Sequence, residues 1–260
     1  ETKPELEKIA ENLNQDVQRY MTDLESKTIK VPTFGFRKIA SLATEQLKQF
    51  IEELRTYRRK LQELETHFES QNISKIQEYI EALKNIHQSE NKKSIELEKL
   101  STLALNALND ALEIKPNYPV SDDNEPTFTA PANKPDIECF YEKFNSVCEV
   151  TMLTDRSQWY NEGQPVMRHV RDFENSHANK ATYCLFIAPR LHQDTIETFW
   201  MAIKYGYKGT TQRIVPLSIT QFIRLLKILL EIRKQGKKFT HYELLNLYEQ
   251  ILGLTNRVAH

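Results

Sequence analysis

Apolar residues recur every three or four positions through most of the first 115 residues of the chain. This spacing places them on one face of a helix that packs against other helices. The longest series is Leu47, Ile51, Leu54, Leu61 and Phe68. Thr2 and Glu5 form a capping-box pattern around Pro4, which is typical of a first helical turn. The pattern predicts a helical linker, hinge or bundle segment over residues 1–90.

The pattern changes after residue 115. Five prolines lie between residues 116 and 135, which predicts a loop. Short apolar or alternating runs then predict strands at 136–144, 147–153, 183–188 and 213–217. Helices are predicted between and after them, at 157–176, 194–204, 218–234 and 242–252, with Asp194 and Ser218 as N-caps. The first two strands are close enough in sequence to form a hairpin.

These elements predict an α/β (α+β) fold, in which helices flank a mixed sheet and a helical segment precedes it. Two domains are expected, the helical segment at 1–90 and a catalytic domain at 91–260. The chain begins with Glu1 rather than Met, so we expect it to be a piece of a longer protein. No run of about 18 apolar residues is present, and no membrane span is expected.

Composition adds little, but the distribution of charge adds more. Hydrophobic residues make up 40% of the chain and the net charge is -1, which is ordinary for a globular protein. Residues 121–175 carry 11 acidic and 5 basic side chains, whereas residues 176–260 carry 5 acidic and 12 basic ones. This order suits a metal site beside a phosphate-facing surface, although charge also varies along chains without function. Cys139, Cys148 and Cys184 lie in apolar runs, which favours buried thiols and a cytoplasmic location.

Two carboxylates stand out in the predicted hairpin. Asp136 opens its first strand, and Glu149 lies 13 residues later in the second. Because alternate strand residues share a face, Glu149 is expected beside Val147 and Thr151, opposite an apolar face. Two carboxylates and the Val150 carbonyl would offer the hard oxygen ligands that Mg²⁺ prefers. A hairpin whose acidic residues merely face solvent remains an equal alternative.

The next predicted helix carries a polar stripe. Gln158, Glu162 and His169 are spaced by four and seven residues, so one helical face would hold all three. Placed after a carboxylate-bearing strand, this stripe would line the same cleft. Taken singly, His169 is more typical of an ordinary surface or hydrogen-bonded histidine, and Glu162 of a surface glutamate.

With these residues in view, the sequence resembles the AlwI family of type IIS restriction endonucleases, which includes relatives that nick one strand. The resemblance rests on APANKPDIE at 130–138, EVT at 149–151 and QWYNEGQPVMRHV at 158–170. It covers roughly residues 95–220, and the third run is the most specific.

The resemblance implies a PD-(D/E)xK-type nuclease fold with Asp136 and Glu149 as metal ligands. Mg²⁺ would be the cofactor, with Mn²⁺ as a substitute. Thr151 stands where the common motif has lysine, so the lysine's role is unassigned. Glu162 and His169 would be further active-site residues. A glutamate from the preceding helix would complete the site, for which Glu98 is preferred over Glu96.

The implied activity is metal-dependent hydrolysis of DNA phosphodiester bonds, with sequence recognition outside this chain. Double-strand cutting would need a homodimer or a second catalytic subunit. Phosphate contacts are expected from basic residues of the second half, or these residues are simply solvated: Lys180, Arg190, Lys204, Lys208 and Arg213. A non-catalytic helical interaction module and a repair or RNA-processing nuclease of the same fold are the alternatives.

Overall fold

Four helices occupy most of the first 108 residues of the computed structural model, which describes residues 2–89, 92–108, 110–121 and 125–254. They are α1 (Lys3–Ser26), α2 (Thr44–Ser70), α3 (Ile73–Lys84) and α4 (Lys93–Leu108). Two 3₁₀ turns, Ile39–Ser41 and Ile86–Gln88, lie between them. The predicted capping box opens α1, where the backbone N–H of Thr2 donates to the Glu5 carboxylate over 2.7 Å.

The chain divides into two units, and the division falls at the end of α2. The first unit comprises Glu1–Glu69 with Asp122–Glu125, and the second comprises Ser70–Ser121 with Pro126–His260. In the first, α1 and α2 bury a continuous apolar cluster that includes four of the five periodic residues of α2, while Phe68 stays 48% exposed. The second unit holds α3, α4 and the sheet. The predicted domain boundary at residue 90 stays a prediction.

A mixed sheet forms the centre of the second unit, as the sequence predicts, and it has five strands. Its strands, in spatial order, are β1 (Glu113–Pro116), β2 (Ile137–Phe140), β3 (Phe144–Val150), β4 (Ala181–Ala188) and β5 (Ile214–Ser218). The pairs β1–β2 and β2–β3 are antiparallel, and β3–β4 and β4–β5 are parallel. The predicted β2–β3 hairpin is therefore confirmed. The sequence did not predict strand β1, because Pro116 and the exposed alternate residues are typical of the start of the proline-rich loop.

The two faces of the sheet pack against different helices. Cys148, Leu185 and Ile187 belong to the larger apolar cluster, which contains residues of α3, α4, α8 and α9. Val147 and Phe186 belong to the smaller one, which contains residues of α6 and α7. Side chains alternate along β3 as predicted, so Glu149 lies on the same face as Val147.

The remaining helices are α5 (Arg156–Gln158), α6 (Gln164–Ser176), α7 (Gln193–Lys204), α8 (Ile219–Lys234) and α9 (His241–Leu252). The Ser218 capping box opens α8 as predicted. The predicted N-cap Asp194 is wrong: α7 begins one residue earlier, and the His192 side chain accepts from the backbone N–H of Asp194. Within the described part of the chain, no helix is long and apolar enough to cross a membrane.

The predicted helix 157–176 is not continuous. A π-helical turn, Trp159–Gly163, separates α5 from α6. Pro165 lies two residues after it. A proline has no backbone N–H and clashes with the carbonyl four residues earlier in an α-helix. A wider turn removes that conflict, and such turns are frequent at functional sites. Because Glu162 lies inside the turn, the geometry expected from regular helical spacing does not hold there.

Candidate active site

Glu149 lies near the carboxyl end of β3 and is only 5% exposed. It sits beside Phe186 of β4 in the parallel register, on the face covered by α6 and α7. Burial, followed by the negative charge of Glu162, raises its pKa well above the ordinary value. A carboxyl group is therefore held in the middle of an apolar layer, where its ionised form is costly.

Asp136 reaches the same strand end from the segment just before β2. Its Oδ2 accepts a hydrogen bond of 2.7 Å from the backbone N–H of Val150. Burial raises the pKa of Asp136 well above normal, and the charges of Glu149 and Glu162 add to the effect. The two residues predicted as metal ligands are thus brought together at the end of β3.

Glu98 enters from α4 and is 3% exposed, which distinguishes it from the half-buried Glu96. Its Oε2 accepts from the backbone N–H of Ala130 over 2.9 Å. Burial and the neighbouring charge of Asp136 raise its pKa to about 8. Of these two α4 glutamates, Glu98 is the one buried beside Asp136, and its role in the site stays a prediction.

Glu162 projects from the π-helical turn and is held by Thr151. The Thr151 hydroxyl donates to the Glu162 carboxylate, and the same Oγ1 accepts from the backbone N–H of Leu153 over 3.2 Å. Burial raises the pKa of Glu162, while this hydrogen bond and His169 lower it. Thr151, for which the sequence resemblance led us to expect a lysine, therefore interacts with an acidic side chain.

His169 of α6 completes the group. Its Nδ1 lies 2.9 Å from Oε1 of Glu149, while its Nε2 is buried with no hydrogen-bond partner among the described residues. Burial, reinforced by Arg168, lowers the pKa of His169 and favours the neutral imidazole. With its proton on Nδ1, that imidazole donates to an ionised Glu149 and leaves Nε2 available for a further group.

Four carboxyl groups, from α4, the segment before β2, β3 and the π-helical turn, therefore lie close enough to affect one another's pKa values. Among the residues the structure describes, none of the four has a Lys or Arg partner, and His169 is the one basic side chain that touches them. No three His, Cys, Asp or Glu side chains of the described ranges form a ready-made metal shell. A cation would therefore have to draw these groups closer.

Gln158 has a structural position that the sequence did not reveal. It is fully buried, and its side-chain amide donates to the carbonyl oxygens of Leu153 and Arg190 over 2.6 and 2.8 Å. Its Oε1 accepts from the backbone N–H of His192. Gln158 thus joins the loops that leave β3 and β4, instead of lining the cleft with Glu162 and His169.

The basic residues expected to contact phosphate lie in different surroundings. Lys180 donates to the Tyr141 carbonyl over 2.7 Å. Arg213 lies over the Tyr183 ring and 3.9 Å from Glu174, and Lys208 lies over Tyr207. Arg190 and Lys204 are exposed. Their contact with DNA stays a prediction.

The arrangement of strands and helices is that of a restriction endonuclease subunit. The chain is similar to the small subunit (R.BspD6I2) of the heterodimeric restriction endonuclease R.BspD6I. The two share 19% sequence identity with a TM-score of 0.58, over 68% of this chain and 89% of that chain. No curated protein matches the sequence.

The family follows from the sequence model of the AlwI restriction endonucleases, which matches residues 1–225. The chain belongs to this restriction endonuclease family, and its role is therefore that of a DNA-cleaving endonuclease. The match includes α1–α4, so the helical segment is part of the family's common region rather than an unrelated addition.

Proposed function

We propose that this chain hydrolyses DNA phosphodiester bonds with a divalent cation, Mg²⁺, at the carboxyl end of β3. Asp136, Glu149 and Glu98 would hold the ion together with the Val150 carbonyl. The observation that carries the proposal is the convergence of four buried or half-buried carboxyl groups with no Lys or Arg partner among the described residues.

The chemistry of this donor set fits Mg²⁺. Carboxylate and carbonyl oxygens are its preferred protein ligands. A bound cation would offset the repulsion that raises the pKa values of Asp136 and Glu149. Mn²⁺ would substitute, since it also favours carboxylate and carbonyl oxygens.

A divalent cation held by these residues would supply Lewis acidity toward water and the phosphodiester. The protein side chains supply orientation. His169 fixes Oε1 of Glu149 through its 2.9 Å hydrogen bond, and its unprotonated Nε2 can accept a hydrogen bond from a water. Glu162, oriented by Thr151, has a raised pKa, which suits it to accept a proton from water or to return one to the leaving oxygen.

One such site cuts one strand at a time. We therefore propose a type IIS-like or nicking enzyme of the PD-(D/E)xK class, whose sequence recognition lies outside this chain. Double-strand cutting would require a second copy or another catalytic subunit. The similar R.BspD6I2 chain is a subunit of a heterodimeric enzyme, which supports a different subunit, rather than a second copy of this chain, as the partner.

The test is nicking of supercoiled plasmid by the purified chain at high concentration, with Mg²⁺ or Mn²⁺ and with EDTA as control. We expect cation-dependent nicking that Glu149→Gln reduces at least a thousandfold. Thermal unfolding gives a second readout, because a cation that binds only the folded protein raises its Tm. That rise should be present in the parent and reduced in the variant.

Three results would contradict the proposal. Equal nicking by parent and Glu149→Gln would move catalysis to other residues. Neither nicking nor a cation-induced rise in Tm would favour a non-catalytic helical interaction module. Cleavage of RNA in preference to DNA would assign the same site to an RNA-processing nuclease.

A further inference from the structure

A second surface of the same unit has the chemistry of a phosphate-binding groove. It has a volume of about 440 Å³ and lies between α3 with its following turn and the N-terminal half of α8. Its apolar lining includes Leu83, Ile86, Ile219 and Ile223. The basic side chains that line it come from both elements and comprise Lys84, His87, Arg224 and Lys227.

The positive charge of this groove is largely unneutralised. Arg224 and Lys227 are exposed and three residues apart, so they share one face of α8. Within the described ranges, neither has an acidic partner. Lys84 is paired with Glu81 of its own helix, so Arg224 and Lys227 carry most of the free charge.

The groove opens at the edge of the sheet that also carries the acidic site. Pro189, which lines it, follows the last residue of β4, and Ile219 follows the last residue of β5. Thr151, just after β3, donates its backbone N–H to the carbonyl of Ile187 over 3.0 Å. The ends of β3 and β5 are therefore about 10 Å apart, which is two strand spacings.

We propose that Arg224 and Lys227 bind the phosphate backbone of the duplex DNA whose strand is cut at Glu149. This inference rests on the proposed function and extends it from the cleavage point to the path of the substrate. Arg224 and Lys227 lie about 8 and 12 Å further along α8 from Ile219. A backbone rises about 3.4 Å per nucleotide, so duplex phosphates several steps from the cut one would reach them. These contacts position DNA without reading its sequence.

The test measures duplex binding by fluorescence anisotropy in EDTA, where cleavage cannot occur, over a series of salt concentrations. The double variant Arg224→Glu, Lys227→Glu should bind at least tenfold more weakly than the parent. The slope of log K against log salt should become shallower by about one to two. The double variant Lys237→Glu, Lys238→Glu is the matched control. Both lysines are exposed and lie beyond the C-terminal end of α8, and this double substitution changes the net charge by the same amount as the Arg224/Lys227 variant.

Several outcomes would overturn the proposal. They are an unchanged affinity and salt slope in the Arg224/Lys227 variant, an equal loss in the Lys237/Lys238 control, and a parent chain that does not bind duplex DNA. An Arg224/Lys227 variant that loses affinity for single-stranded RNA but not for duplex DNA would also overturn the proposal. Plasmid nicking by Glu149→Gln is measured separately, so failure of the catalytic site and failure of the groove give different results.

Discussion

The helical first unit and the acidic site of the second unit treat buried charge in opposite ways. In the helical first unit, partly buried charges have partners of opposite sign. Arg58, with its side chain 10% exposed, lies 3.2 Å from Asp16. Lys27 lies 2.8 Å from Asp23 and 3.1 Å from Glu65. In the second unit, Glu98 and Glu149 are more deeply buried than these acids and have no Lys or Arg partner within the described ranges.

The difference separates structural charge from functional charge. An ion pair between α1 and α2 contributes modestly to stability. A group of buried carboxyl groups reduces stability unless a proton or a cation neutralises it. Ionisable groups with strongly shifted pKa values concentrate at functional sites. We therefore expect removal of a carboxylate to have opposite consequences in the two units.

The largest expected effect is the loss of cleavage on Asp136→Asn. The amide keeps the size of the side chain but loses the negative charge, and nicking should fall at least a thousandfold. The Tm without divalent cations should stay the same or rise, because repulsion with Glu149 is removed. Plasmid nicking and circular dichroism measure the two effects.

Glu65→Gln is the matched control for that experiment, because it removes one partner of Lys27 in the first unit. It should leave nicking unchanged and lower the Tm slightly. Full nicking by Asp136→Asn, or a loss of nicking in Glu65→Gln, would break the proposed distinction.

The next effect concerns Thr151. Thr151→Val keeps the shape but removes the hydroxyl that donates to Glu162. We expect kcat to fall about tenfold to a hundredfold with little change in KM, since only the orientation of Glu162 is affected. The pKa of Glu162 should rise without this donor, so the acidic limb of the pH–rate profile should move to higher pH.

Thr151→Ser retains a hydroxyl and should restore most of the activity. An unchanged pH profile in Thr151→Val, or equal defects in the Val and Ser variants, would show that Thr151 acts only through packing.

The third effect is on stability as a function of pH. The pKa of Glu98 is raised to about 8 in the folded protein, above the ordinary carboxyl value that the unfolded chain has. The folded state therefore holds the Glu98 proton more tightly than the unfolded state does. The resulting contribution to the free energy of unfolding is present at pH 4 and is lost as the pH rises through about 8. Without divalent cations, Glu98→Gln should unfold several degrees higher than the parent at pH 8.5.

At pH 4 the difference in Tm between Glu98→Gln and the parent should largely disappear, because Glu98 is then protonated in both the folded and the unfolded chain. Mg²⁺ should also narrow the gap at pH 8.5, by stabilising the parent. A constant difference across this pH range would mean that Glu98 is not buried in a protonated form.

Sequence periodicity was sufficient to predict the helices of the first unit and the order of the main strands, because both follow from local side-chain spacing. Glu149 could be placed on the correct face of β3 by alternation alone. Glu98 was selected through a resemblance to a family, since nothing in its local sequence predicts that Ala130 approaches it across 32 residues.

The remaining features depend on non-local contacts. The Gln158 amide spans two loops, and no periodic pattern predicts such a connection. The π-helical turn has one local signal, Pro165, which indicates an interruption but not its type. The hydrogen bond between Thr151 and Glu162 depends on that turn, so regular helical spacing could not predict it.

The smallest expected effect returns to the first unit, where Lys27 is surrounded by Asp23, Glu65 and Glu69. Lys27→Met keeps much of the aliphatic stem and removes the ammonium group. The Lys27 side chain is 29% exposed, so we expect a loss of about 1 kcal/mol or less in the free energy of unfolding.

Screening by 1 M NaCl should shrink that loss, while nicking at low temperature stays unchanged. Urea unfolding at low and high salt measures it, and a loss insensitive to salt would identify packing rather than charge as the contribution of Lys27. A change in nicking would mean that the charge pairs of the first unit also serve the acidic site, contrary to the contrast drawn between the units.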